Sequence, residues 1–284
     1  MIDDFRQYLE EAAEKVEMAL EKVLKVGDPP VIFEAMRYST LDGGKRIRAA
    51  LCFLGAYGSE ELALPAACAV EMIHAYSLIH DDLPCMDNDD FRRGKPSCHK
   101  AYGEAVALLA GDALIAKAFE VLATQENNAL LAVKELAQAS GAQGMVGGQV
   151  LDLLSENKAI GTDQLKTIHA KKTGALILTS LKLGALAADR KELLPQLTTY
   201  GEKIGLLFQI TDDILDFEGT KESLGKTPGK DASSGKNTYA TLLGLEEAKS
   251  LAAKYTSEAK SAAENLPGSG ILKDLADFIL VRTK

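Results

Sequence analysis

Apolar residues recur at helical spacing along nearly the whole chain, in segments that glycine, proline and polar turns separate. Residues 65–82 are apolar on nearly every face, which predicts a buried helix with Pro65 in its first turn. Glycines within 141–148 predict close packing or a kink, and neither a strand pair nor a repeat of fixed period is evident. The predicted helices are residues 2–26, 31–38, 49–56, 65–82, 105–122, 129–139, 162–187, 193–217, 238–266 and 271–281.

The composition agrees with an all-α protein. Of the 284 residues 46% are hydrophobic but only 6% are aromatic, and tryptophan is absent, which favours helix packed on helix over a β-sandwich. Neither a Pro/Ser-rich linker nor an abrupt change of composition divides the chain, so we predict a single domain, 1–284. Residues 218–237, rich in Gly, Ser and Lys, form the longest predicted loop.

Charge and cysteine usage exclude several classes of protein. A formal net charge of -9 argues against nucleic acid as a partner. The acidic, amphipathic N-terminus does not resemble a secretory signal, and no uncharged apolar run reaches the roughly 18 residues that a membrane span requires. We therefore expect a cytoplasmic protein with no membrane span. Its four cysteines form no CxxC pair and are expected to be reduced thiols: Cys52, Cys68, Cys85 and Cys98.

Two aspartate clusters, residues 81–87 (DDLPCMD) and 212–216 (DDILD), each close an apolar stretch. If both stretches are helices of one core, the clusters face each other across an apolar space. Asp212 and Asp216 lie one helical turn apart and repel each other, while the helix C-terminus and desolvation add further cost. Uncompensated carboxylates predict a hard cation, and oxygen-only ligands favour Mg²⁺. The alternative is a solvated acidic loop, which suits Asp89 and Asp90 best.

Basic residues occur where an anionic ligand of such a metal site would need them. Guanidinium groups bind phosphate oxygens in pairs and lysines act as mobile point charges, so the mixture suits a diphosphate. Taken singly, each is more often an ordinary surface cation. They are Lys45, Arg48, Arg92, Arg93, Lys172, Lys226, Lys230 and Lys236.

Two of the four histidines, His74 and His80, lie on the apolar helix before the first cluster. A lone histidine on such a helix is more often a satisfied core residue, and no Cys or His partner has the spacing of a zinc site. His74 precedes Asp81 by seven residues, about two turns, so it faces nearly the same side and is the better candidate for a ligand contact.

Motifs along the chain resemble those of the trans-isoprenyl diphosphate synthases, or polyprenyl synthetases, and most of all the bacterial farnesyl diphosphate synthases (geranyltranstransferases). The resemblance runs from about Val31 to the C-terminus and keeps the family's order. It rests on GGKRIR, HAYSLIHDDLPCMDNDDFRRGKP, AGDAL, GGQVLDL, HAKKTGAL, FQITDDILD, LGKTPGKD and GKNTYATLLGL.

The resemblance implies an all-α isoprenoid synthase-type helical bundle around a deep central cavity, usually in a homodimer. The implied ligands of three Mg²⁺ are Asp81, Asp87 and Asp212, with Asp82, Asp213 and Asp216 nearby. The implied contacts of the allylic diphosphate are Arg92, Lys172, Lys226 and Lys236. The implied contacts of isopentenyl diphosphate are Lys45, Arg48, His74 and Arg93.

The activity that the resemblance implies is head-to-tail condensation of isopentenyl diphosphate with dimethylallyl or geranyl diphosphate. Metals and cations stabilise the departing diphosphate, and the allylic carbocation is solvated beside Lys172, Thr173 and Gln209. The released diphosphate takes the proton, which explains why no general base stands out. Residues 218–237 would close as a lid. Thr211 stands where many relatives carry Gln or Arg, and we expect little consequence.

Product length depends on the residues one turn before Asp81, which are Tyr76 and Ser77. A tyrosine at that depth predicts a C15 product, (E,E)-farnesyl diphosphate, unless Tyr76 merely packs in the core. The alternative within the class is a geranylgeranyl diphosphate synthase, which makes C20. A terpene cyclase ranks lower because its usual Asn/Ser/Glu metal motif is absent. A non-catalytic synthase subunit also ranks lower because both aspartate motifs are intact.

Overall fold

The computed structural model describes residues 2–41, 43–218 and 237–282, with side chains from Phe5 onwards. Fourteen α-helices lie within these ranges, together with one short β-hairpin. The helices are α1 Ile2–Val23, α2 Pro30–Thr40, α3 Ile47–Gly55, α4 Leu64–Asp81, α5 Cys98–Tyr102, α6 Glu104–Leu122, α7 Ala129–Ser140, α8 Met145–Ser155, α9 Thr162–His169, α10 Ala175–Ala187, α11 Leu194–Glu218, α12 Tyr239–Leu243, α13 Leu245–Ala262 and α14 Ser269–Val281.

The predicted all-α architecture is confirmed, and the differences are local, including two helices that were not predicted, α5 and α8. The expected single helix 162–187 contains a π-helical turn, Ala170–Gly174. The expected helix 238–266 is divided at Gly244, whose φ of +86° is a left-handed conformation that glycine adopts at low cost. The expectation of no strand pair is wrong, because Phe91–Arg92 (β1) pairs with Lys95–Pro96 (β2). Strands of two residues are too short to produce a detectable alternation.

Helix α4 is the central core element, as its apolar faces predict. It packs against α6, α3 and α10, and eleven of its eighteen residues are buried. The helical segment Glu60–Asp81 is long and apolar enough to cross a membrane by length and composition, but most of it is buried inside the protein. One such helix is weak evidence for a span, because a core helix has the same properties.

A buried charge cluster fixes the GGKRIR segment at the start of α3. Arg46 is 5% exposed and has a φ of +50°. Its guanidinium lies 3.2 Å from a carboxylate oxygen of Glu71 on α4, and it also donates to the Thr40 carbonyl. Glu71 in turn accepts the Ala49 backbone N–H. Arg46 therefore points into the core and joins the start of α3 to α4.

Candidate active site

The ends of α4 and α11 meet at one large cavity of about 700 Å³. Asp81, the last residue of α4, and Asp212, in the last two turns of α11, both line it. The predicted convergence of the two aspartate motifs on one space is therefore observed. Away from these carboxylates the walls are mostly apolar, from Leu83, Met86, Leu108, Met145, Val146, Val150, Leu153 and Phe208.

Most of the predicted site residues line this cavity, and the others fall into two groups. Those that line it are Arg48, His74, Tyr76, Ser77, Asp81, Lys172, Thr173, Gln209 and Asp212. Those outside its lining are Lys45, Asp87, Arg92 and Arg93. Lys226 and Lys236, with the predicted lid 218–237 except its two end residues, lie outside the described residues.

The two leading aspartates of the first motif have different surroundings. Burial, reinforced by the nearby Asp87 and opposed by Lys172, raises the pKa of Asp81 to about 6. Asp82 is buried as well, but both of its oxygens accept hydrogen bonds from the Arg92 guanidinium, one of them at 3.2 Å from Nε. Asp81 is thus a desolvated carboxylate at the cavity, whereas Asp82 is neutralised by Arg92.

In the second motif, too, one aspartate faces the cavity and the next one is buried and paired. One oxygen of Asp212 accepts from Arg282 at 2.6 Å and the other from Gln209 at 3.2 Å, yet the carboxylate remains 44% exposed at the cavity. Asp213 is buried, accepts the Tyr239 backbone N–H at 2.8 Å and lies 3.3 Å from His169. The first aspartate of each pair therefore faces the cavity, and the second holds neighbouring elements in place.

The π-helical turn presents Lys172 and Thr173 to the cavity between two close helix contacts. A Cβ on Gly148 of α8 would lie 2.2 Å from the backbone nitrogen of Lys172, and a Cβ on Gly205 of α11 would lie 2.8 Å from the Cα of Gly174. The Lys172 ammonium donates to Asp152 of α8 at 2.7 Å. Two residues of the GGQVLDL segment thus hold Lys172: Gly148 by close backbone packing and Asp152 by a charged hydrogen bond.

Comparison with known proteins identifies the class of this cavity. Residues 29–267 match the family model of polyprenyl synthetases. The chain is 47% identical to geranylgeranyl pyrophosphate synthase of Capsicum annuum, over 98% of this chain and 79% of that protein. It is 48% identical to geranylgeranyl diphosphate synthase of Cyanophora paradoxa, over 97% and 95%.

The chain belongs to the polyprenyl synthetase family. It resembles the crystal structure of a geranyltransferase from Helicobacter pylori complexed with magnesium and isoprenyl diphosphate, with a TM-score of 0.83 and 34% identity over 97% of this chain and 96% of that one. The implied isoprenoid synthase fold is confirmed, and the protein is a prenyltransferase of isoprenoid biosynthesis.

The side chains of this synthase offer scattered oxygen donors for a metal ion. In the ranges 2–41, 43–218 and 237–282, no three His, Cys, Asp or Glu side chains converge as a ready-made metal cluster. The raised pKa of Asp81 nevertheless marks a carboxylate whose negative charge lacks full compensation. Asp212 also remains accessible from the same cavity. This donor set of oxygens fits Mg²⁺ that shares its coordination with ligand oxygens and water.

Arg48 and His74 form a basic part of the cavity wall in the synthase. The Arg48 Nε is buried and has no hydrogen-bond partner among the described residues. Burial, and then the nearby Arg48 and Arg93, hold the pKa of His74 well below its usual range, so its imidazole is neutral at pH 7. A phosphate group would supply an acceptor for the unpaired Arg48 Nε. Its negative charge would also compensate the positive charges around His74.

Four residues of this site escaped sequence reasoning: Gln149 lines the cavity, Asp152 binds Lys172, Arg282 binds Asp212, and Glu71 holds Arg46. The glycines and polar residues of GGQVLDL were a signal for the first two. Nothing in the sequence signalled Arg282 or Glu71, because each looks like an ordinary surface charge beside or within a helix.

Proposed function

We propose that this prenyltransferase condenses isopentenyl diphosphate head to tail with an allylic diphosphate and releases geranylgeranyl diphosphate as its main product. The single observation that carries the chemistry is the shared cavity, which Asp81, Asp212 and Lys172 line together with many apolar side chains. Such a space suits a diphosphate head and a hydrocarbon tail.

Product length rests on the relatives. The C15 product suggested by the sequence agrees less well with them than the C20 alternative, since the Capsicum and Cyanophora proteins are named geranylgeranyl synthases. One observation keeps farnesyl diphosphate as a second candidate. Tyr76 lines the cavity, is only 6% exposed and lies one turn before Asp81.

For the diphosphate end we propose that Asp81, Asp87 and Asp212 hold Mg²⁺, with three ions per site. The Helicobacter relative contains magnesium, and the desolvated Asp81 gains most from a cation. When bound, the metal supplies charge that stabilises a departing diphosphate. Arg92 and Lys172, with Lys226 and Lys236 from outside the described residues, would bind the allylic diphosphate. Lys45, Arg48, His74 and Arg93 would bind isopentenyl diphosphate.

The chain's own residues would act in sequence during the reaction. Lys172 leaves Asp152 for the diphosphate as the C–O bond of the allylic substrate breaks. Thr173 and Gln209 turn oxygen atoms towards the allylic cation, which the π-electrons of the isopentenyl double bond then attack. The released diphosphate accepts the proton that restores a double bond. The apolar walls exclude water, which would otherwise quench the cation.

We also propose a homodimer formed through α6 and α8. Both helices expose large apolar side chains, including Leu109 at 56% and Leu154 at 59%, and burial against a second copy would remove them from water. Light scattering coupled to gel filtration should give twice the chain mass, and a monomer at micromolar concentration would contradict this. A cytoplasmic location stays a proposal, since the Capsicum relative is named chloroplastic.

Product analysis of the purified protein tests the proposed function. With Mg²⁺, isopentenyl diphosphate and dimethylallyl diphosphate, we expect release of diphosphate and a dominant C20 product. A dominant C15 product would establish the second candidate instead. Absence of any condensation, or turnover that persists in excess EDTA, would refute the proposal. Activity of the chain alone would also exclude a non-catalytic subunit.

A further inference from the structure

His80 of α4 forms part of the cavity wall and contacts helix α6. It follows Tyr76 by one helical turn, so both side chains share one face of α4. Their rings meet edge to face, with centroids 5.6 Å apart and planes at 74°. His80 and Tyr76 both line the cavity, together with Leu108 of α6.

The imidazole of His80 is tied to α6 by a hydrogen bond of defined direction. Its Nε2 lies 3.0 Å from the backbone carbonyl oxygen of Leu108. A carbonyl oxygen can only accept, so Nε2 carries the hydrogen and donates it. This bond fixes the ring that Tyr76 packs against, and it joins α4 to α6 at the cavity wall.

Gly111 provides the space in which this ring lies. A Cβ at this position would stand 2.1 Å from Nε2 of His80 and 2.5 Å from its Cδ2. Gly111 is a fully helical residue within α6, where glycine is otherwise unfavourable. The imidazole explains why glycine occurs here, because the ring could not lie against α6 if residue 111 had a side chain.

We propose that His80, resting on Gly111, is a positioning residue that holds the Tyr76 ring in place and thereby limits the length of the hydrocarbon product. This inference rests on the proposed function of the cavity. Tyr76 is the group that meets the growing chain, and His80 acts through it. Without His80, the tyrosine ring loses its edge contact and can turn away from the hydrocarbon.

The test is the product-length distribution of variants in the presence of Mg²⁺ and excess isopentenyl diphosphate. His80→Ala and Gly111→Ala should each raise the ratio of the next longer product to the main product by roughly two- to tenfold, the factor for loss of one aromatic pair. Lys117→Ala, on α6 with a side chain paired to Glu120, is the control and should leave the ratio unchanged.

A double variant separates positioning from direct contact. If His80 acts through Tyr76, then Tyr76→Ala combined with His80→Ala should lengthen products no more than Tyr76→Ala alone. A further increase in the double variant would show that His80 meets the hydrocarbon itself and would overturn the proposal.

A milder variant keeps the test decisive if the alanine variants do not fold. His80→Gln retains a donor for the Leu108 carbonyl but lacks the ring, so its ratio should lie between those of the wild type and His80→Ala. An unchanged distribution in this folded, active variant would refute the role of His80. A wild-type chain that forms no prenyl product would instead refute the proposed function.

Discussion

Replacing Asp81 by asparagine should stabilise the metal-free protein while removing its activity. The raised pKa of Asp81, about 6, means that the folded state resists ionisation of this carboxyl. A difference of about two pKa units from the usual aspartate corresponds to about 3 kcal/mol. Because the side chain keeps some contact with water, we expect Asp81→Asn to raise the free energy of unfolding by about 2 kcal/mol at pH 7.5.

The sign of the pH dependence is opposite to that of a salt-bridged aspartate. Between about pH 4 and pH 6 the folded state binds more protons than the unfolded state, so the Asp81 contribution to stability falls as pH rises through this window. Below about pH 4 both states carry the protonated carboxyl, and the difference between wild type and variant should vanish. Comparing the two proteins cancels the titration of the groups that do not interact with Asp81.

Urea denaturation in EDTA gives the difference in unfolding free energy between wild type and Asp81→Asn at pH 4 and at pH 7.5. In a prenyltransferase assay with Mg²⁺, Asp81→Asn should lower kcat/KM by roughly a hundredfold or more. Asp82→Asn is the matched control. It weakens the hydrogen-bonded ion pair with Arg92 and should destabilise the protein at pH 7.5. The reasoning is refuted if Asp81→Asn is no more stable than the wild type at pH 7.5, or if its effect is the same at both pH values.

Two further substitutions test how the site is held. Glu71→Gln leaves the buried Arg46 without its main partner and should cost about 3–5 kcal/mol in urea denaturation; an unchanged midpoint would show that the pair contributes nothing. Gly148→Ala forces a Cβ against the Lys172 backbone and should cost about 1–3 kcal/mol and lower kcat. Gly161→Ala, where no atom lies within 4 Å, should change neither, and equal kcat in the two glycine variants would contradict the argument.

The amino-acid sequence by itself determined the helical architecture, and it predicted that the two aspartate motifs share one space, which the cavity confirms. Periodic apolar positions specify helices locally, and the carboxylate spacing in Asp212 and Asp216 specifies one helix face. The motifs also indicated the family, and most of the site residues that it implied do line the cavity. Product length was less accessible, because Tyr76 taken by itself favoured C15 whereas the Capsicum and Cyanophora relatives favour C20.

Only the tertiary structure decided which charges are paired and which face the cavity. Arg46 turns inward to Glu71, although Lys45 and Arg48 carry the same charge within the same GGKRIR segment. Arg282 reaches Asp212 across 70 positions, and Asp152 holds Lys172 across 20. The strength of such pairs depends on burial and on distances of a few ångströms between separate helices. Local periodicity carries no information about these distances, so it cannot assign the partners.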